Sequence, residues 1–379
     1  LRAGSIQNLD FPLLLCTLGA FAVGIAMVFS ATSGDKEFAI RQTVYGLIGL
    51  TLMFVVAYMD YRFIESFTIP LYFVTLGLLG YVLFLGHEAH GAQRWINLGL
   101  IPLQPSELTK LTLIIVLAKL LSDHKAQLDK VKWFAFAGVI TVIPAAMVFR
   151  QPDLGTALML GAIFLGMTLW AGVRLRLFVA AGLLAIPSIF AFWTWVMHDY
   201  QRERLLIFLN PEKDLLASGY NIIQARISIG SGGLFGQGWM AGQQSQLEFL
   251  KVRYSDFIFS VVAEEFGFVG ALVLCALLFY LVWRCLAVAH RAPDDYGSLL
   301  AVGVGTWVGM QIFVNAGMNI GLMPVTGIPL PFISYGGSAL MSMLLGIGLV
   351  QSVALRSSPI IFGRKAWSPA WAKTARTAR

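Results

Sequence analysis

The sequence predicts an all-α polytopic membrane protein, with about ten transmembrane helices and one long polar loop between the seventh and the eighth. Three observations carry this. The 379 residues are 58% hydrophobic and only 12% charged, whereas soluble domains are about one quarter charged. Mean hydropathy is +0.75. The apolar residues fall in long unbroken runs near the roughly 20 residues that a span needs. The runs do not alternate, so helices are expected rather than the strands of a barrel.

The candidate spans are Phe11–Ser30, Gln42–Tyr58, Phe67–Leu85, Leu108–Leu121, Trp133–Phe149, Leu154–Trp170, Leu177–Met197, Phe257–Leu281, Leu299–Asn319 and Ser338–Leu355. The first is long enough to cross and nine follow it, so it reads as a span rather than a cleavable signal. The fourth is short unless it begins near Pro105. Residues 198–256 form the long loop, charged and glycine-rich, and residues 356–379 a basic tail with Trp367 and Trp371. Short loops on one side carry Lys125, Lys130, Lys132, Arg174, Arg176, Arg284 and Arg291. The positive-inside rule then makes that side cytoplasmic, with both termini on it and the long loop outside.

The net charge of +7 follows the membrane topology, so a nucleic-acid partner is not expected. Cys16, Cys275 and Cys285 lie in or beside spans and read as small apolar residues, with no disulfide framework or metal spacing. His87, His90 and His198 lack zinc-ligand spacing. The run Gly230 to Gly238 has Phe235 where a dinucleotide fingerprint needs glycine, and it lacks the Gly-Lys-Ser/Thr of a P-loop. It reads as tight turns or close backbone approach, and no organic cofactor is expected.

On this topology spans four, six, eight and ten all start on the outer side, each behind a polar motif. These are Gly91-Ala92-Gln93-Arg94-Trp95 with Gln104-Pro105-Ser106-Glu107 and Lys110; Arg150-Gln151-Pro152-Asp153-Leu154-Gly155-Thr156; the long loop ending at Asp256; and Pro324 to Pro331 with Ser334-Tyr335-Gly336-Gly337-Ser338. Each of the two Gln-Pro motifs alone reads as helix initiation. Pro105 and Pro152 suit a first turn, Glu107 and Asp153 complement the dipole, and Glu107 can pair with Lys110. Together they aim four helix N-termini at one place, a setting that favours an anion. Arg94, Lys110, Arg150, Arg202, Arg204 and Arg226 supply cations there, and Glu107, Asp153, Asp199 and Asp256 carboxylates. A phosphate-bearing lipid head group fits such a site. Gly305 and Gly309 read as a helix-packing face, and Asn315 and Asn319 as hydrogen-bonding glue between spans.

With these motifs the chain resembles the SEDS family of bacterial membrane proteins. The matching stretches are residues 91–95, 104–110, 151–156, 198–214, 219–248, 256–267 and 324–338, the most specific being Asp256-Phe257-Ile258-Phe259 followed by Ala263-Glu264-Glu265. Residues 198–202 and 243–250 resemble the elongation branch more than the division branch that acts at the septum. Where the family has Pro-Glu before the aspartate, this chain reads Lys251-Val252-Arg253-Tyr254-Ser255. The resemblance implies a single ten-span domain over residues 1–379 in the bacterial cytoplasmic membrane. It implies polymerisation of lipid II, a disaccharide-peptide on undecaprenyl pyrophosphate, into glycan strands at the outer face during elongation. It also implies a class B penicillin-binding protein as transpeptidase partner, within the elongation machinery. The family's key aspartate maps onto Asp256, its cavity positions onto Glu107, Lys110 and Asp153, and its outer-loop tryptophan onto Trp95. The expected chemistry makes Asp256 the general base. Lys110, Arg202, Arg204 and a divalent cation (Mg²⁺ or Mn²⁺) would face the leaving pyrophosphate. Ser334 joins the substrate-binding set, and protein ligands for a metal stay unassigned. A lipid II flippase is the competing reading, and a structural scaffold a third.

Overall fold

The structure, a computed structural model, describes residues 9–89, 92–97, 102–128, 130–191, 202, 207–208 and 218–357. Its helices are α1 Phe11–Ala31, α2 Lys36–Tyr58, α3 Tyr61–Ser66, α4 Thr68–Leu85, α5 Pro105–Asp123, α6 Val131–Arg150, α7 Leu154–Ala171 and α8 Leu175–Ala191. They continue with α9 Ser218–Ser231, α10 Gln243–Gln246, α11 Ile258–Arg291, α12 Asp295–Asn319 and α13 Gly337–Arg356. Eight of them, among the described residues, are long and apolar enough to cross a membrane: α1, α2, α4, α6, α7, α11, α12 and α13. With α5 and α8 these correspond to the ten expected spans of a multi-pass membrane protein.

Most helix starts have a local cause. Asp10, Asp35, Asp60, Asp153 and Asp294 each cap the next helix by accepting a backbone N–H, which satisfies donors a helix start leaves open. Asp35 moves the start of α2 six residues ahead of the expected Gln42. The fourth span begins at Pro105, and Pro occupies the first turn without loss of a needed N–H.

Helices α5, α12 and α13 form the centre of the bundle, and most of their residues are buried. This explains how α5 carries Glu107, Lys110 and Lys119: it packs on protein rather than lipid. Gly305 and Gly309 let α12 approach Cys285 and Val282 of α11, the role small residues play between spans. The periphery exposes Leu47, Phe73, Phe84, Val142, Leu184, Phe268 and Val273, as lipid contact requires.

Two features depart from the sequence expectation. Three short strands, β1 His87–Ala89, β2 Ala92–Asn97 and β3 Pro102–Leu103, pair antiparallel in the order β1-β2-β3 before α5. The eighth span is not one continuous helix over Phe257–Leu281. It runs from Ile258 to Arg291 with a break at Gly267, whose φ of 69° and ψ of −168° are non-helical. The segment before the break is buried, and the exposed apolar run begins at Phe266.

The glycine-rich run explains the break. Phe268 and Val269 donate backbone N–H groups to the Gly233 and Leu234 carbonyls (2.9 and 3.1 Å). In return Gln237 and Gly238 donate to Glu264 and Glu265 (both 3.0 Å). The two stretches pair across the kink, so the hydrogen bonds a broken helix gives up are recovered. A Cβ at Gly236 would lie 2.1 Å from the Glu265 carbonyl oxygen. Close backbone approach is therefore what these glycines provide. The charged stretch before α11 is also partly helical, since α9 packs along α11.

Candidate functional site

The starts of α5, α7, α11 and α13 lie on one face of the bundle and are tied together by the segment from Pro324 to Gly336. The Gln104 N–H donates to Ser338 Oγ (3.1 Å), joining the start of α5 to that of α13. Gly155, in the first turn of α7, sits against Thr326 and Ile328, where a Cβ would lie 2.6 Å from the Thr326 carbonyl oxygen. Gly327 approaches the Asp256 carboxylate, with 3.8 Å between Oδ2 and the position of an added Cβ. The four motifs thus share one neighbourhood.

Asp256 is half-buried at the entry to α11. It does not cap the helix. Phe257 occupies the N-cap position, without a side-chain cap bond, and one Asp256 carboxylate oxygen accepts from Ser255 Oγ (3.0 Å). Its backbone is held at three consecutive carbonyls. The Tyr335 N–H donates to the Tyr254 carbonyl (2.9 Å). Ser334 Oγ donates to the Ser255 carbonyl (2.6 Å) while accepting from the Leu330 N–H (2.7 Å). Asn315 and Asn319 both donate to the Asp256 carbonyl (3.0 Å each). The Asn319 amide oxygen then accepts from the backbone and hydroxyl of Ser260 (3.2 and 2.6 Å). Two asparagines one turn apart on α12 thereby set where the carboxylate stands, and their spacing in an apolar helix is the sequence signal for it.

An aromatic cluster borders this loop. Phe38 lies 5.1 Å from the rings of both Tyr254 and Tyr335, which are 5.8 Å from each other. Burial pushes the Tyr335 phenol above its ordinary range, partly offset by the Arg41 guanidinium. Gln42, on the same face of α2 as Phe38, donates to the Ser334 carbonyl (3.1 Å). Sequence reasoning gave Phe38, Gln42 and Tyr254 no part in the site, because nothing local marks the partner they meet far along the chain.

Glu107 and Lys110 pair at 2.7 Å with both side chains almost wholly buried. Lys110 Nζ also lies 5.2 Å from the Trp307 ring, a cation–π contact. Asp153 is buried, and both its oxygens are taken by Thr156, the backbone N–H at 3.1 Å and the hydroxyl at 2.9 Å. Its geometry is that of a cap fixing the α7 start. Trp95 sits half-buried on β2, opposite His87 in register. Arg202 is half-buried. Arg204 and Asp199 lie outside the described residues. Arg226 donates to the Gly321 carbonyl (3.3 Å), just past the end of α12.

The long loop is anchored close by. Glu264, fully buried, accepts from the backbone N–H groups of Gln244 and Ser245 (2.7 and 3.2 Å) and from Ser228 Oγ (3.2 Å). Arg253 donates to the Ala31 carbonyl at the end of α1 (2.5 Å) and pairs with Glu248 (2.9 Å). The opposite face is closed by ion pairs, among them Asp10 with Arg284 (2.5 Å) and Asp294 with Arg62 (2.8 Å).

Among the described residues no group of three His, Cys, Asp or Glu side chains is placed to hold a metal ion. The one carboxylate at Asp256 suits only a cation carried mainly by phosphate oxygens, as Mg²⁺ often is.

Comparisons with known proteins agree with this architecture. Residues 8–358 match the model of the FtsW/RodA/SpoVE family, described as cell cycle protein. The chain is 40% identical over 346 residues to the peptidoglycan glycosyltransferase MrdB of Escherichia coli K12, covering 91% of this chain and 93% of that one. It is 38% identical over 370 residues to the probable peptidoglycan glycosyltransferase FtsW of Geobacter metallireducens, covering 94% and 97%. Among solved structures it superposes on a chain from work on the coordination of polymerization and crosslinking by a peptidoglycan synthase complex. There the TM-score is 0.80 and the identity 34%, over 91% of this chain and 97% of that chain. It also superposes on the rod shape determining protein RodA of Thermus thermophilus, with a TM-score of 0.70 and 32% identity over 93% and 98%.

Proposed function

The chain belongs to the FtsW/RodA/SpoVE family of cell cycle proteins, and from that premise we propose that it is a peptidoglycan glycosyltransferase that polymerises lipid II with Asp256 as general base. The observation that carries the reading is the mounting of Asp256. Three successive carbonyls are pinned by Tyr335, Ser334, Asn315 and Asn319, while the carboxylate stays at the edge of the protein, half-buried. Such rigid support is what a base needs to hold a reacting group in line.

The reaction joins a sugar hydroxyl of one substrate to the anomeric carbon of another. The carbon–oxygen bond to the diphosphate breaks and its electron pair leaves with the lipid diphosphate. The new glycosidic bond forms as the hydroxyl proton passes to the Asp256 carboxylate. A sugar hydroxyl is a weak nucleophile at neutral pH, so proton removal during bond formation lowers the barrier. Direct displacement inverts the anomeric carbon. Diphosphate is a good leaving group and needs no protein acid, so one carboxylate suffices. Arg202 and Arg204 are the cations assigned to the charge that develops on it, while Lys110, buried and paired with Glu107, stays behind the site. A divalent cation, Mg²⁺ or Mn²⁺, would be carried by the diphosphate itself.

The site face is assigned to the outside of the bacterial cytoplasmic membrane, with both termini cytoplasmic, because the basic short loops lie on the other face. A class B penicillin-binding protein is the assigned partner for crosslinking, in the elongation machinery. Support comes from the match to a chain of a peptidoglycan synthase complex. The test separates enzyme from flippase. Purified protein in detergent, given lipid II, is expected to make glycan chains without a sealed bilayer. A protein that moves lipid II across vesicles and forms no polymer in detergent would overturn the assignment.

A further inference from the structure

Five buried polar atoms along the contact of α5 with α12 find no hydrogen-bond partner within the protein. They are Ser106 Oγ, Glu107 Oε2, Trp307 Nε1 and both amide atoms of Gln311. All four residues are at most 3% exposed. The two helices run antiparallel, and their register is fixed by two contacts. Gly303 faces Ile114, and Trp307 faces Lys110. One turn further, Gln311 comes opposite Glu107 and Ser106. The orphaned atoms therefore belong to one seam.

Orphaned groups at such depth are rare, because the hydration they give up is not replaced. A polar guest restores it, and the atoms on offer select the guest. An indole N–H and an amide N–H would repel a metal cation, and Glu107 would repel an anion. A neutral molecule that both donates and accepts fits all of them. Gln311 also lines a cavity of about 10 Å³ beneath Leu330 and Ser334, close to the smallest space that admits one water. That cavity lies directly behind the segment whose Ser334 hydroxyl grips the Ser255 carbonyl.

We propose that Ser106, Glu107, Trp307 and Gln311 enclose an ordered water site, and that Gln311, the one of the four that also lines the cavity behind Leu330 and Ser334, is a positioning residue linking the Glu107–Lys110 pair to the segment behind Asp256. The inference rests on the reading of Asp256 as the base for its consequence, but not for the site itself. It gives the buried ion pair a mechanical role: its second carboxylate oxygen anchors the water that holds Gln311, and Gln311 backs the Pro329–Ser334 segment.

The experiment is a double-mutant cycle on the full-length protein with Ser106→Ala and Gln311→Met, read by polymerisation kinetics with lipid II and by thermal unfolding. Gln311→Met is expected to lower kcat about tenfold, with KM unchanged within about twofold, as mispositioning of a base predicts. Ser106→Ala is expected to act in the same direction, and the double variant to be no slower than Gln311→Met alone, because both remove one shared water. Additive effects, or a Gln311→Met enzyme within about twofold of the parent in kcat, would overturn the proposal. Trp307→Phe removes only the indole donor and serves if Gln311→Met fails to fold; it too must be non-additive with Ser106→Ala. A high-resolution map of the parent protein decides without any variant: density for a water bridging Glu107 and Gln311 supports the site, and a dry seam refutes it. If Asp256→Asn keeps full activity while the cycle is non-additive, the water site stands and the base assignment falls.

Discussion

Replacing Asn319 with Leu should uncouple the Asp256 carboxylate from its support while leaving the bundle assembled. Leu keeps the branched shape and the number of heavy atoms of Asn, so the side chain still fills its place. The Asn319 amide donates to the Asp256 and Asn315 carbonyls and accepts from Ser260. After substitution the Asp256 carbonyl keeps its bond from Asn315, and the Ser260 N–H keeps its bond to the Phe257 carbonyl. The buried Ser260 hydroxyl is the group left without a partner. An orphaned hydroxyl costs about 1–3 kcal/mol and a lost bond to a retained acceptor about 0.5–1.5, so the fold should lose about 2–4 kcal/mol. Loss of one of two anchors on Asp256 should lower kcat by about 10- to 100-fold, with KM little changed, since small misplacements of a reacting group have costs of that size. The assay is glycan polymerisation by purified protein, normalised to the folded fraction from thermal unfolding. A variant that unfolds at the parental temperature and polymerises within about twofold of the parental rate would refute the idea that α12 positions the base.

Three other perturbations follow from the same geometry. Glu107→Ala strands the Lys110 ammonium in the interior and should cost about 3–5 kcal/mol, seen as reduced yield and a lower unfolding temperature; unchanged stability would mean that the ammonium reaches bulk solvent. Gly236→Ala places a Cβ against the Glu265 carbonyl at a φ of +83°, and should destabilise by more than about 1–2 kcal/mol, with protease sensitivity in the 232–240 region; a stable variant would contradict the pairing across the Gly267 break. The Tyr335 phenol, raised above the ordinary tyrosine value of about 10 by burial, contributes stability that is complete below about pH 10 and is lost as pH rises through the folded-state value. Tyr335→Phe should therefore flatten the fall in unfolding temperature above pH 10, and an identical alkaline fall in both proteins would remove this residue from the account.

Much of this molecule was legible in its sequence, and the parts that were not share a cause. Apolar runs revealed the spans because lipid contact imposes composition locally. The polar motifs before α5, α7, α11 and α13 revealed the site face because helix starts need particular residues. Asn315 and Asn319 could be read as interhelical glue, although their target, the Asp256 carbonyl, lies 59 and 63 positions away. The break at Gly267 was hidden, since a glycine in an apolar run looks like any packing glycine until Gly233 and Leu234 pair beside it. The hairpin before α5 was missed because its strands are too short for a period to register. Asp153 kept two meanings in the sequence, cap and site carboxylate, and the structure gives both of its oxygens to Thr156. Burial of Glu107 with Lys110 could not be foreseen from spacing alone, which suits an exposed pair equally well.

The central claim, proton transfer to a carboxylate at position 256, is tested most directly by comparing polymer made from lipid II by the purified parent and by Asp256→Asn, at matched amounts of folded protein. Asn keeps the shape and the backbone bonds to Asn315, Asn319 and Ser334 while removing the base. The account predicts a loss of at least about 100-fold in rate, with normal membrane insertion and unfolding temperature. Glycan synthesis by the variant at close to the parental rate would contradict it.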